Sequence, residues 1–144
     1  MINDIAAAKR RLIIGFVAGA FDLCHAGHIL MLKEAKRNCD YLIVGLHTNP
    51  SIDRKEKNKP IQSTYERYIQ LKALEAVDSI IPYDTEEDLL NLLANTPIDI
   101  RFLGDDYRDR KDYTGYGLDI PIHFCSRKHN YSSSELRKRI KDNV

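Results

Sequence analysis

Leu12–Leu46 reads LIIGFVAGAFDLCHAGHILMLKEAKRNCDYLIVGL. Its first seven residues, Leu12 to Ala18, are a short β-rich apolar run closed by Gly19, the composition of a strand buried on both faces. Ile29, Leu32 and Ala35 then recur at helical spacing, and Tyr41 to Leu46 form a second apolar run of the same kind. The segment between the runs is long enough for a crossover helix, so the stretch is a βαβ unit. The turn between its first strand and its helix carries two imidazoles, His25 and His28, around Gly27.

The same alternation continues outward. A charged loop, Asp53 to Lys59 (DRKEKNK), precedes a helix with Thr64 as N-cap and Tyr65, Tyr68, Ile69, Leu71 and Leu74 in period. Val77 to Pro82 reads as a third strand. Thr85 to about Ala94 is a capped helix with Glu86, Glu87 and Asp88 in its first turn, where the helix dipole favours anions. Ile98 to Leu103 is a fourth strand running into GDD, Ile120 to Cys125 a fifth, and Ser132 to Ile140 a last helix. Strands alternating with helices predict an α/β fold: a Rossmann-like, doubly wound parallel five-stranded sheet with helices on both faces and right-handed crossovers. The ligand site of such a sheet lies at the carboxyl ends of the strands, where the strand order reverses.

At 144 residues the chain suits one domain over 1–144, with 1–10 as an N-terminal extension. Lys9, Arg10 and Arg11 ahead of the apolar run imitate a secretory leader. Gly15 interrupts that run, however, and cleavage would remove a core strand. No segment approaches a membrane span. The formal charge of +1 argues against a protein that grips a nucleic-acid backbone over a broad face. Cys24, Cys39 and Cys125 are odd in number and widely spaced, so no disulfide framework is suggested. The expectation is a soluble cytoplasmic chain with no nucleic-acid or membrane partner.

The turn that carries His25 and His28 sits at the ligand edge of the expected sheet. Glycine lets an anion approach the backbone, and a helix start offers unpaired N–H donors. Two imidazoles add side-chain donors at the same point, an arrangement suited to a polyphosphate whose charge grows as a P–O bond breaks. Neither a G-x-G-x-x-G nor a G-x-x-x-x-G-K-[ST] loop is present, so a different phosphate device is required. Two other readings of the histidines stand beside this one: metal ligation together with Cys24, and simple capping of the helix. The second signal is Ser126 to Arg137, SRKHNYSSSELR, where Ser132, Ser133 and Ser134 open a helix behind Arg127. Backbone and hydroxyl donors there can face a phosphate, and the plain alternative is again an ordinary N-cap.

Taken together, GAFDLCHAGH and RKHNYSSSELR resemble the nucleotidylyltransferase superfamily with an H-x-G-H signature. They are most similar to its cytidylyltransferase branch, of the glycerol-3-phosphate cytidylyltransferase kind. The lysine of NKPIQSTYERY, EAVDSIIP and LGDDY fall in the same order, and the resemblance runs from about Leu12 to Ile140. It implies a cytoplasmic homodimeric enzyme that transfers CMP from CTP to a small phosphomonoester, a glycerol-3-phosphate-like polyol or amino-alcohol phosphate, releasing pyrophosphate. Magnesium would arrive with the triphosphate. The resemblance gives His25 and His28 the transition state, Lys59 and Arg127 the phosphate charge, and Ser132, Ser133 and Ser134 the β and γ groups. Ala20, Phe21 and Gly27 would line the nucleotide pocket, Asp22 would shape the turn, and Asp105 would lie near the nucleotide. Arg67 would hold its helix beside the site or reach the acceptor phosphate.

Several positions depart from that pattern. Ala20 stands for a threonine, Asn130-Tyr131 for Gly-Ile, and Glu75 for an arginine, while EAVDSII is similar to the heptose-phosphate adenylyltransferase type. An adenylyltransferase using ATP with a sugar phosphate or FMN-type acceptor is therefore the alternative, and a nucleotide-binding regulatory module is the non-enzymatic one. Tyr107 to Tyr116, YRDRKDYTGY, could serve as a flap over the acceptor.

Overall fold

The computed structural model describes residues 11–144, so the extension assigned to 1–10 lies outside the described residues. Five strands, β1 (Ile14–Gly19), β2 (Tyr41–His47), β3 (Ser79–Tyr83), β4 (Ile100–Gly104) and β5 (Ile122–Cys125), form one sheet of order β3-β2-β1-β4-β5. Each neighbouring pair is parallel. The order reverses at β1, which lies between β2 and β4. The carboxyl ends of β1 and β4 therefore frame the crevice of a doubly wound sheet.

Helices α1 (Ala26–Arg37), α2 (Thr64–Lys72), α3 (Glu86–Asn95) and α4 (Ser133–Asp142) accompany the strands. One core cluster joins Val17, Val44 and Phe102 of the sheet to Leu32 and Ala35 of α1 and Leu71 of α2. The opposite face packs Phe16, Ile43 and Tyr83 against Leu89 and Leu93 of α3. Fully buried side chains such as Leu32 and Leu71 contribute about 1.5–3 kcal/mol each. The alternating strand faces thus place helices on both sides of the sheet.

Two local differences from the sequence reading have simple causes. The N-cap of α2 is Ser63, one residue before Thr64. Ser63 Oγ accepts from the Glu66 N–H at 3.1 Å and Glu66 Oε1 accepts from the Ser63 N–H at 2.9 Å, a capping box that Thr64 cannot build. Between β4 and β5 the chain makes a 3-10 turn at Asp105–Tyr107 and irregular turns, with no α-helix. Helix α4 buries none of its residues, and its start is tied to the β1–α1 turn.

Candidate active site

The β1–α1 turn departs from ordinary backbone at Phe21 (φ 51°) and Leu23 (φ 60°), two non-glycine residues in the left-handed region. Such conformations cost of order 1–3 kcal/mol and persist only where the surroundings over-determine them. Here Asp22, buried between them, is the tie. Its carboxylate accepts from the backbone N–H groups of Ile61 (2.8 Å) and Gln62 (3.0 Å) and from Arg137 Nη2 (2.8 Å). Burial alone would raise the Asp22 pKa, but these donors hold it below the ordinary carboxylate value. One ionised side chain thereby joins the turn, the loop before α2, and α4.

His25 is the N-cap of α1. Its Nδ1 accepts from the Gly27 N–H at 3.0 Å, and His28 Nδ1 accepts from the His25 N–H at 3.4 Å. The capping reading is therefore realised, and it has a chemical consequence. A neutral imidazole whose Nδ1 accepts carries its proton on Nε2, so both rings keep an Nε2–H donor. His25 Nε2 is buried with no protein partner. The two rings stack at 3.8 Å, which disfavours charge on either. Burial lowers the His25 pKa, with His129 and Arg127 adding to the shift, and pushes His28 down to about 3, with His25 as the next cause. Neutral donors are thus presented across the physiological range.

That shift has a stability consequence of definite sign. A histidine whose folded pKa lies below its unfolded value of 6.5 stabilises the fold fully above pH 6.5. The contribution is lost as pH falls from there toward about 3. The melting temperature of the parent is expected to drop more steeply between pH 6.5 and 4 than that of His28→Asn, as read by thermal unfolding across pH. Parallel profiles would remove the assignment of a neutral, desolvated ring.

The late serine motif meets this turn directly. A Cβ at Gly27 would stand 2.8 Å from the Tyr131 carbonyl oxygen, so glycine is needed for the approach of the two chains. Asn130, at the position where the resemblance expects glycine, has φ 60°, a conformation Asn tolerates. Ser132 caps α4 by accepting from the Glu135 N–H at 3.1 Å, and Ser133 Oγ donates to the Asp22 carbonyl oxygen at 3.3 Å.

A cleft of about 410 Å³ opens over these elements, and Ala20, Phe21, Asp22, His28, Arg127, Ser133 and Ser134 line it. An adjoining recess of about 170 Å³ adds His25, Gly27 and Ser132 and shares His28, Arg127 and Ser133 with the cleft. Lys59 is exposed and outside both linings, while Lys57 and Asn58 of the same loop are inside. Asp105 is likewise outside, paired with Arg108 at 2.7 Å, and its neighbour Asp106 lines the cleft.

Arg67 is 1% exposed, and its donors go to protein oxygens. Nη1 bonds the carbonyls of Ala20 (3.0 Å) and His47 (2.7 Å), and Nη2 bonds Thr48 O (2.7 Å) and Thr64 Oγ1 (3.2 Å). Nε faces the carbonyls of Gln62 and Ser63. Of its two expected roles, holding the helix is the one the geometry allows, because no donor remains for an acceptor phosphate.

Among the described residues the group with metal-ligand atoms within 4.8 Å of one another is Glu34, His123 and Cys125, so Cys24, His25 and His28 are not assembled as ligands. Glu34 already accepts from His123 Nε2 (2.7 Å) and the Ser126 N–H (3.0 Å). Burial pushes the Cys125 thiol up to about 12. The trio is a hydrogen-bonded cluster joining α1 to the end of β5. Sequence reading missed Arg101, Glu86, His47 and Arg137, which also line the cleft. A lone arginine inside the apolar run IDIRFL was the available signal for the first of them.

A family model described as cytidylyltransferase-like matches residues 16–139. The bifunctional protein HldE of Campylobacter jejuni (strain RM1221) is 36% identical over 130 residues, 90% of this chain and 28% of that protein. HldE of Caulobacter sp. (strain K31) is 42% identical over 99 residues, 68% of this chain and 20% of its own length. The chain thus spans less than a third of the HldE proteins it matches. Among solved structures, the lipopolysaccharide core biosynthesis protein from Thermoplasma volcanium GSS1 superposes with a TM-score of 0.65 at 27% identity, over 81% of this chain and 98% of that one.

Proposed function

The chain belongs to the cytidylyltransferase-like family, and from that premise we propose that it transfers a nucleotidyl group from a nucleoside triphosphate to a sugar phosphate, releasing pyrophosphate. The observation that carries the reading is the convergence on the cleft and its adjoining recess of two neutral imidazole donors, Arg127 and the serine-capped start of α4. An oxygen of the acceptor phosphate attacks the α-phosphorus. That P–O bond forms as the bridge between the α and β phosphates breaks, and the electron pair leaves on pyrophosphate. The attacking oxygen is already ionised at neutral pH, so no general base is required, and catalysis consists of positioning and charge stabilisation. His25 and His28 donate from Nε2 to oxygens that gain charge. Arg127 and the first-turn N–H groups of α4 hold the leaving phosphates.

Magnesium carried with the triphosphate would neutralise phosphate charge. Asp106, 4.0 Å from Arg127 Nε, and Glu86 are the lining carboxylates that would hold it, since Asp22 is committed to its backbone donors and Arg137.

ATP as nucleotide is supported by the likeness of Glu75–Ile81 to the heptose-phosphate adenylyltransferase type. A sugar acceptor is supported by the saccharide product in the name of the Thermoplasma volcanium neighbour. The reading with CTP and a polyol phosphate is favoured by the GAFDLCHAGH form of the turn. Pyrophosphate release from ATP, CTP, GTP and UTP, each with mannose 1-phosphate and glycerol 3-phosphate, decides between them. ATP is expected to lead CTP by about tenfold or more in kcat/KM, which corresponds to about 1.4 kcal/mol. A reversed order selects the cytidylyl reading, and release from none of the pairs removes nucleotidyl transfer.

A further inference from the structure

Arg67 and Arg101 are both buried, at 1% and 4% exposure, yet they are bonded very differently. Arg67 spends every donor on protein oxygens. Arg101 makes one hydrogen bond, from Nη1 to the Thr114 carbonyl at 2.6 Å, and its Nε is buried with no partner. Among the described residues no carboxylate lies within ion-pair distance of it. Its place in β4, between Phe16 of β1 and Ile122 of β5 in register, is one where an apolar side chain would pack without penalty. An uncompensated buried guanidinium is costly unless an anion completes it. Arg101 lines the cleft, so the anion can reach it from there.

The surroundings define the rest of that anion's molecule. Glu86 Oε2 accepts from Thr114 Oγ1 at 2.7 Å, which leaves Oε1 as an acceptor facing a region also lined by Tyr107 and Tyr113. A carboxylate oxygen and phenol rings suit hydroxyl groups and the apolar face of a sugar. They would also suit a quaternary ammonium, but the Arg101 guanidinium already lies 5.5 Å over the Tyr113 ring. A second cation there would meet like charge.

We propose that Arg101 determines acceptor specificity: its guanidinium binds the phosphate of a sugar or polyol phosphate whose hydroxyls face Glu86 and Tyr113, and it turns away amino-alcohol phosphates. This rests on the nucleotidylyl-transfer reading only for the presence of an acceptor in the cleft. The triphosphate has its own cations and N–H donors at the starts of α1 and α4, so Arg101 serves the other substrate.

The test is calorimetric titration of the full chain with mannose 1-phosphate, in the presence of the α,β-methylene analogue of the preferred triphosphate. The parent is expected to bind mannose 1-phosphate at least about tenfold more tightly than methyl mannoside or phosphocholine. Arg101→Gln is expected to weaken that binding by about 10- to 100-fold, the range for a lost charge-assisted bond. Arg101→Lys should recover part of it, and the affinity for the analogue should stay within about twofold. Equal binding by parent and Arg101→Gln, or no discrimination by the parent among the three probes, overturns the proposal. If Arg101→Gln does not fold, the probe comparison in the parent, repeated with Glu86→Gln, decides alone. Pyrophosphate release on the same samples scores the catalytic reading separately, because Arg101-dependent binding without turnover would remove catalysis and leave the subsite.

Discussion

His28→Ala is expected to lower turnover by about a hundredfold or more while changing triphosphate affinity much less. The ring is held by α1 with Nδ1 turned toward the His25 N–H, stacked on His25, and packed 5.2 Å from Phe21. Its Nε2–H is therefore fixed in direction before substrate arrives. A donor pre-aimed at developing charge contributes on the order of 2.7–4 kcal/mol when it acts only in the transition state. The ground-state triphosphate keeps Arg127 and the α4 start, so its binding should survive. The helix itself should also survive, since the bond His28 makes to the His25 N–H is long, 3.4 Å, and a lost cap costs about 1 kcal/mol. Single-turnover kinetics with a separate measurement of triphosphate affinity resolve the two effects. Equal turnover in variant and parent would assign the ring to capping alone and favour a binding module over an enzyme.

The capping and catalytic readings of this turn are one geometry. The backbone N–H groups of Gly27 and His25 occupy both Nδ1 atoms, and that occupation is what sends the protons to Nε2. A similar division holds at α4, where Ser132 satisfies the Glu135 N–H and the first-turn N–H groups of Ser133 and Ser134 are left for a ligand. A sequence that looks like ordinary capping and one that looks like a phosphate site do not differ here, because satisfying the helix end is how the donors are aimed.

Much of the fold was legible because it is carried by local pattern. The runs LIIGFVA and YLIVGL became β1 and β2 within two residues, and Thr85 and Ser132 cap the helices assigned to them. The convergence of GAFDLCHAGH with NYSSS was implied by the family resemblance, and the strand order supplies its cause: β1 at the switch point puts its following turn where β4 and β5 end. What failed to read are positions set by irregular backbone. Lys59 lies in a loop with no period to say which of its lysines turns inward. Asp105 and Asp106 stand in a 3-10 turn, where successive side chains diverge by about 120°, so composition could not choose between them. Arg101 was passed over because a strand pattern is judged by its apolar residues, although the one residue that breaks it marks the costlier choice.

Arg67→Met, just behind the cleft, is expected to cause a large loss of stability, on the order of 3–5 kcal/mol. The substitution preserves apolar bulk while stripping donors from carbonyls of Ala20, His47, Thr48 and Gln62. Each buried carbonyl left unpaired costs about 1–3 kcal/mol, tempered where water reaches it. A domain of this size holds about 5–15 kcal/mol in total, so the variant should unfold at markedly lower denaturant or lose roughly 10–15 °C in melting temperature. The Ala20 carbonyl links that loss to the site, because it belongs to the same turn as the left-handed Phe21, whose conformation depends on being held from outside. Arg67→Lys should rescue little, since one ammonium cannot span carbonyls in the turn after β1, at the end of β2 and at the α2 cap at once. In whatever fraction folds, the KM for the acceptor should stay near the parent value, the reverse of the pattern at Arg101. A variant within about 1 kcal/mol of the parent but with a raised acceptor KM would exchange the roles of the two arginines.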